Sequence, residues 1–115
     1  MSESFAHYDI LLTQGAEQDL ESIYDYWVEA DAVAAANEIL DQLLKTADSL
    51  SQFPERGSYP KELAALGIQE YRQVLFNTYR VIYRVQGRHV MIYAILDGRR
   101  DIQSLLSRRL LGLKR

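Results

Sequence analysis

The sequence predicts an α+β chain in the order strand, two helices, three-stranded meander, terminal helix. Three observations predict it. Apolar residues recur at helical spacing over residues 16–50, alternate with period two over residues 71–96, and form a last amphipathic stretch over residues 102–111. A length of 115 residues suits one domain, residues 1–115, with a modest core. With 48% hydrophobic and 25% charged residues the chain reads as globular, which excludes bulk disorder.

The first strand is His7–Thr13, with Tyr8, Ile10 and Leu12 on one side. Thr13 is then the N-cap of the first helix, and Glu17 and Asp19 lie near its positive end. Ala16, Leu20, Ile23, Tyr24 and Trp27 form that helix's apolar stripe. Asp31 is read as the cap of a second helix whose seam is Val33, Ala36, Leu40, Leu43, Ala47 and Leu50. So short a connection makes the two helices an antiparallel hairpin, and Pro54 ends the second one.

Residues 54–68 read as a loop with one short helical turn at Glu62–Leu66. Three strands follow, at Tyr71–Phe76, Tyr79–Val85 and Val90–Leu96. Asn77-Thr78 and Gln86-Gly87 occupy the hairpin-turn positions between them. Strict alternation would put Val90, Ile92, Ala94 and Leu96 on one face of the last strand. Ile102–Leu111 completes the chain as a helix with Leu105, Leu106 and Leu110 on one side.

Charge divides sharply along the chain. Residues 1–60 hold twelve carboxylates against two bases, a net −10, whereas residues 61–115 hold eleven bases against four carboxylates, a net +7. Such asymmetry points to a face that meets an anionic or acidic partner. The absence of cysteine excludes disulfides, thiolate metal sites and a cysteine nucleophile. No metal site and no cofactor is expected. There is no apolar run of the roughly 18–20 residues a membrane span needs, and Met1-Ser2-Glu3-Ser4 lacks the features of a secretory signal. A cytoplasmic protein without membrane contact is the expectation.

A resemblance then covers nearly the whole chain. It rests on Leu12-Thr13 with Ala16, Asp19, Leu20 and Ile23, on the Phe53-Pro54 break, on Tyr79-Arg80-Val81-Ile82-Tyr83-Arg84-Val85, and on Ile95-Leu96-Asp97-Gly98-Arg99-Arg100-Asp101. Taken together these resemble the RelE/ParE superfamily of toxins from type II toxin–antitoxin modules, also called plasmid stabilisation proteins. The resemblance implies a helical hairpin packed on one face of a mostly antiparallel sheet. It also implies growth inhibition and a hetero-oligomer with a cognate antitoxin whose tail wraps the toxin, DNA being met only through the antitoxin or a gyrase complex.

Two mechanisms exist within such a family. RelE-like members are ribosome-dependent mRNA endonucleases, and ParE-like members inhibit DNA gyrase. Strand-by-strand matching puts the nuclease cations on Arg72, Arg80 and Arg100, but the second lysine position on Val74 and the tyrosine position near Leu106. Metal-free RNA cleavage needs proton-transfer groups as well as cations. The chain therefore reads as ParE-like, with no confident catalytic residue; His7, His89 and Tyr93 are weaker stand-ins. Target-binding candidates are Arg99, Arg100, Arg108 and Arg109, suited to phosphate or an acidic surface. Antitoxin-binding candidates are Tyr26 and Trp27 beside a groove, and Arg80 and Arg84, expected on an uncovered sheet face. A non-toxic antitoxin-binding module is the remaining alternative.

Overall fold

A computed structural model describes residues 7–99 and 102–111. Its elements are β1 (Asp9–Leu12), α1 (Gln14–Glu29), α2 (Val33–Asp48), α3 (Lys61–Ala64), β2 (Arg72–Phe76), β3 (Tyr79–Gln86), β4 (His89–Asp97) and α4 (Ile102–Leu111). The four strands form one sheet in the order β1-β4-β3-β2. β2, β3 and β4 are an antiparallel meander. β1 lies parallel to β4, from Asp9↔His89 to Leu12↔Ile92, so the chain between them must return by a long crossover, which begins with the helical hairpin.

Local chemistry accounts for the helix ends. Thr13 caps α1 as its type predicts, its hydroxyl accepting the Ala16 N–H at 3.2 Å. Asp31 does not cap α2. It takes a left-handed φ of 60° and closes α1 instead: its N–H donates to Val28 O, and the Ala32 N–H donates to Trp27 O. That is a Schellman closure, which needs a residue tolerant of positive φ, and Asp meets that need in place of Gly. α2 then starts at Ala32 without a side-chain cap.

The hairpin turns fall at Asn77-Thr78 and at Gly87-Arg88, because Phe76 pairs with Tyr79 and Gln86 with His89. The second turn is thus one residue later than expected. In each turn the first central residue has positive φ, 53° at Asn77 and 60° at Gly87, as primed turns require.

Each face of the sheet carries its own core. On one side the hairpin residues Ala16, Leu20, Leu43 and Ala47 pack on Val81, Tyr83, Val90, Ile92 and Ile95. On the other, Leu63 of α3 and Leu106 of α4 pack on Tyr71, Ile82, Ala94 and Leu96. Ala94 and Leu96 therefore face away from Val90 and Ile92. The reason is a bulge: Ile82 pairs with Ala94 but Tyr83 pairs with Ile92, leaving Tyr93 as the extra residue. One inserted residue reverses the alternation of everything after it. The second face is also not open, since α3 and α4 cover it.

α3 is held down by a buried ion pair. Arg80, only 8% exposed, donates from both terminal nitrogens to the Glu62 carboxylate at 2.8 Å, and from Nε to Gln73 Oε1 at 2.7 Å. The hydrogen bonds from Arg80 hold the Glu62 carboxyl below its ordinary pKa, against an opposing effect of burial. The loop before α3 is tied by Tyr83, whose buried hydroxyl donates to Pro54 O and accepts the Gly57 N–H. Burial raises that phenol's pKa. Gly57 has no alternative, because a Cβ there would lie 2.4 Å from the Tyr83 hydroxyl.

Two predictions come from these ties. Glu62→Gln should lower stability by about 2 kcal/mol at neutral pH, since it leaves Arg80 buried without its counter-charge. Because folding depresses the Glu62 pKa, its contribution is present above the unfolded value and is lost as pH falls through the folded one. Urea midpoints of parent and variant should therefore converge on acidification below the ordinary carboxylate range; a gap that stays constant to pH 2 contradicts the ion-pair account. Tyr83→Phe strands a buried N–H and a buried carbonyl and should cost about 1–3 kcal/mol in thermal or urea unfolding.

Candidate functional site: the groove between the first helix and the last strand

β1 pairs with β4 only as far as Ile92. Beyond that point the outer edge of β4 faces α1 rather than a strand, and Thr13 and Asp19 take over its backbone bonding. The Thr13 N–H donates to Ile92 O, and the Ile95 N–H donates to Asp19 Oδ2 at 2.9 Å. The space left between α1 and this edge is a groove of about 420 Å³, lined by Asp19, Ser22, Tyr26 and Trp27 on the helix and by Ile95 and Asp97 on the strand, with Arg99 beyond it.

The groove is aromatic in its middle and charged at its ends. Tyr26 is 66% exposed and meets Trp27 edge-to-face, with ring centroids 5.5 Å apart. Trp27 is half-buried, and its indole N–H donates to the Tyr79 hydroxyl at 3.0 Å, so one ring presents an apolar flank while its polar atom is satisfied. At one end Arg109 of α4 pairs bidentately with Asp19. At the other, Arg99 pairs with Asp97 through Nε at 3.0 Å and Nη2 at 2.7 Å. The Asp97 hydrogen bond raises the Arg99 pKa further, so that cation carries its charge at any working pH.

Gly98 places Arg99. Its N–H donates to Thr78 O at 2.6 Å, and a Cβ would meet both Thr78 O and Arg80 Cδ at 3.0 Å. Glycine lets the turn after β4 settle this closely without crowding Thr78 O and the Arg80 side chain. Arg80 is thus a support under the turn and an anchor for α3, and its guanidinium is fully engaged.

The expected residues divide accordingly. Tyr26, Trp27 and Arg99 come together at the groove, and Arg109 closes one end. Arg108 is exposed on α4, and Arg100 lies outside the described residues. Arg80, expected on an open face, is buried for the reason given. Arg84 is half-buried on the second face, with its guanidinium 5.9 Å from the centre of the Tyr71 ring. Arg72 binds the carbonyls of Glu55 and Gly57 at 2.9 Å and the Tyr59 hydroxyl at 3.1 Å, stacking on that ring. Val74 packs against the hairpin-side core, and Leu106 is completely buried in the second. His7 and His89 are exposed.

Three partners were not anticipated as site residues: Asp19, Glu62 and Tyr79. Asp19 carried a signal, a carboxylate bordering the apolar stripe of Ala16, Leu20 and Ile23. Glu62 and Tyr79 carried none, since their contacts join segments 18 and 52 residues apart. Among the described residues there is no cluster of three or more His, Asp or Glu able to hold a metal, and no helix long and apolar enough to cross a membrane.

Comparison with known proteins places this geometry. Toxin ParE3 of Caulobacter vibrioides is 26% identical over 100 residues, covering 87% of this chain and 96% of the relative. A chromosomal ParDE toxin–antitoxin system from P. aeruginosa matches in structure with a TM-score of 0.65 and 20% identity, over 78% of this chain and 95% of the other. The toxin–antitoxin complex RelBE2 from Mycobacterium tuberculosis matches with a TM-score of 0.59 and 19% identity, over 84% and 97%. Residues 10–102 match the family described as the ParE toxin of type II toxin-antitoxin system, parDE. With strand, hairpin, meander and the Asp97-Gly98-Arg99 turn all inside that match, the chain belongs to the ParE toxin family.

Proposed function

We propose that this chain is a toxin that stops growth by binding DNA gyrase in the cytoplasm, and that a cognate antitoxin neutralises it. One observation carries the choice of binding over cutting. The two positions where a RelE-like nuclease would present a lysine and a tyrosine are Val74 and Leu106, and both point into cores. A half-buried valine and a buried leucine neither take a proton from a 2′-hydroxyl nor give one to a leaving oxygen. Arg72 and Arg80, the cations that such a reaction would draw on, are engaged with loop carbonyls and with Glu62.

Under this reading the groove receives the antitoxin. A half-buried indole beside an exposed tyrosine is the kind of anchor surface that dominates protein interfaces. Arg84 borders the second face, where a wrapping antitoxin tail would meet it. Arg99 in the turn after β4 and Arg108 on α4 would meet DNA phosphate or an acidic gyrase surface, and Arg100, which lies outside the described residues, is assigned the same role. DNA is reached only through gyrase or through the antitoxin, and the toxin–antitoxin pair is a hetero-oligomer.

Expression without antitoxin should halt growth with an SOS response, and purified chain should trap gyrase–DNA cleavage complexes. Transcripts cut within codons on the ribosome would establish the nuclease instead, and unchanged growth would leave only the non-toxic binding module. Tyr26→Ala should weaken antitoxin binding by about tenfold with little change in melting temperature, read by titration calorimetry. A double Arg99→Ala, Arg100→Ala variant should fold yet lose toxicity; full toxicity would remove both residues from target recognition.

A further inference from the structure

Residues 1–60 hold only two bases, Lys45 and Arg56, among twelve carboxylates, and both line one cleft. It lies between the end of α2 and the outer edge of β2, has a volume of about 560 Å³, and also takes in Thr46, Ser49, Ser58 and Leu75. No carboxylate is among its lining residues. A surface that is merely kept soluble mixes both signs. Here the positive charge of the acidic half is gathered where carboxylates are absent.

Arg56 is fixed ahead of any ligand. Its Nη1 donates to Ser49 O at 3.0 Å and its Nη2 to the Ser49 hydroxyl at 2.6 Å. That uses two of its five N–H donors, and no carboxylate pairs with it among the described residues. Closing the end of α2 explains the two bonds to Ser49, but not the three donors left over or the nearness of Lys45. Lys45 reaches Asp41 at 3.2 Å, yet both side chains are more than half exposed. Such a pair is weak, and the ammonium keeps donors to spare.

The strand edge adds a backbone donor. β2 is outermost in the sheet, and Gln73 exchanges both of its backbone groups with Ser58. Leu75, two residues on, aims its N–H to the same side. It has no backbone partner there among the described residues. A guanidinium, an ammonium, a backbone N–H and the Ser58 hydroxyl therefore border one opening. That donor set suits a phosphoryl group, which brings nearly two negative charges and three strong acceptor oxygens. The cleft is much larger than a phosphoryl group alone, and Val74 and Leu75 give it an apolar side.

We propose that the cleft between α2 and β2 binds the phosphoryl group of a small phosphate ester through Arg56, Lys45 and the Leu75 N–H, with the organic part against Val74 and Leu75. The site shares no residue with the groove beside Trp27. The net charge of −3 disfavours unspecific attraction of anions, so binding here depends on the local donors.

The test titrates the full chain at low ionic strength, where screening is least, with adenosine monophosphate, inorganic phosphate and adenosine, following backbone amide shifts. The monophosphate should move the amides of Ser49, Gly57, Ser58 and Leu75 and bind at least about tenfold more tightly than adenosine. Arg56→Gln should weaken it about tenfold, and Lys45→Gln should weaken it severalfold. Arg88→Gln removes an exposed base from the turn between β3 and β4 and should bind like the parent. Since Arg56 also braces the end of α2, melting temperatures are compared, and Lys45→Gln decides if Arg56→Gln is unstable. Weaker binding of inorganic phosphate than of the monophosphate supports an ester; equal binding overturns it in favour of the free ion. Equal affinity for adenosine and its monophosphate overturns the proposal, as do shifts centred elsewhere. So does parent-like binding by Lys45→Gln and Arg56→Gln, or an equal loss in Arg88→Gln, the mark of unspecific attraction.

Discussion

The carboxylate of Asp19 ties three elements together. It projects from α1, takes the Ile95 N–H where β4 has run past the end of β1, and binds the guanidinium of Arg109 on α4. A strand edge left in contact with a helix must have its backbone groups satisfied by something other than a strand. Asp19 does this and at the same time brings in a cation that offsets its own burial. The spacing between α1 and β4 follows, and with it the groove. α4 is pinned by the same pair, which keeps Leu106 over the second face of the sheet.

The bulge at Tyr93 makes this arrangement possible. Without the extra residue, Ile95 would turn away from the hairpin, and Ala94 and Leu96 would leave the second core. The inserted residue lets one strand feed two cores in succession: Val90 and Ile92 under the hairpin first, then Ile95 under the hairpin while Ala94 and Leu96 serve α3 and α4. Arg80 completes the second layer. In a half-buried strand an arginine is ordinarily a surface residue, yet here Glu62 and Gln73 satisfy it and Gly98 leaves room for its side chain. Two of the cations in the basic half of the chain, Arg80 and Arg109, are therefore structural members joined to carboxylates of other elements. Arg99 and Arg108 remain at the surface, beside the end of β4 and on α4.

The charge asymmetry between the halves thus has two different outcomes. In the basic half it is partly absorbed by internal pairs, so fewer positive groups face a target than the raw sum implies. In the acidic half it stays mostly outside, since the hairpin buries alanine and leucine and leaves its carboxylates other than Asp19 in solvent.

The order of elements, the Thr13 cap and the hairpin turn at Asn77-Thr78 were legible in the sequence because each depends on residues close together along the chain. So was the family resemblance, which rests on short motifs in a fixed order. The Schellman role of Asp31 was misread as a cap, since aspartate suits both positions and only the φ angle separates them. The faces of Ala94 and Leu96 were misread because alternation carries no mark of an inserted residue. The partners of Arg80 and Arg109 and the bond from Trp27 to Tyr79 were beyond reach. Each depends on groups 18 to 90 residues apart, which meet only after the crossover sets β1 beside β4. The sequence alone determined which segments are helix and strand and which family they form; the tertiary structure decided which charges are engaged within the fold, because ion pairs between distant segments form only in three dimensions.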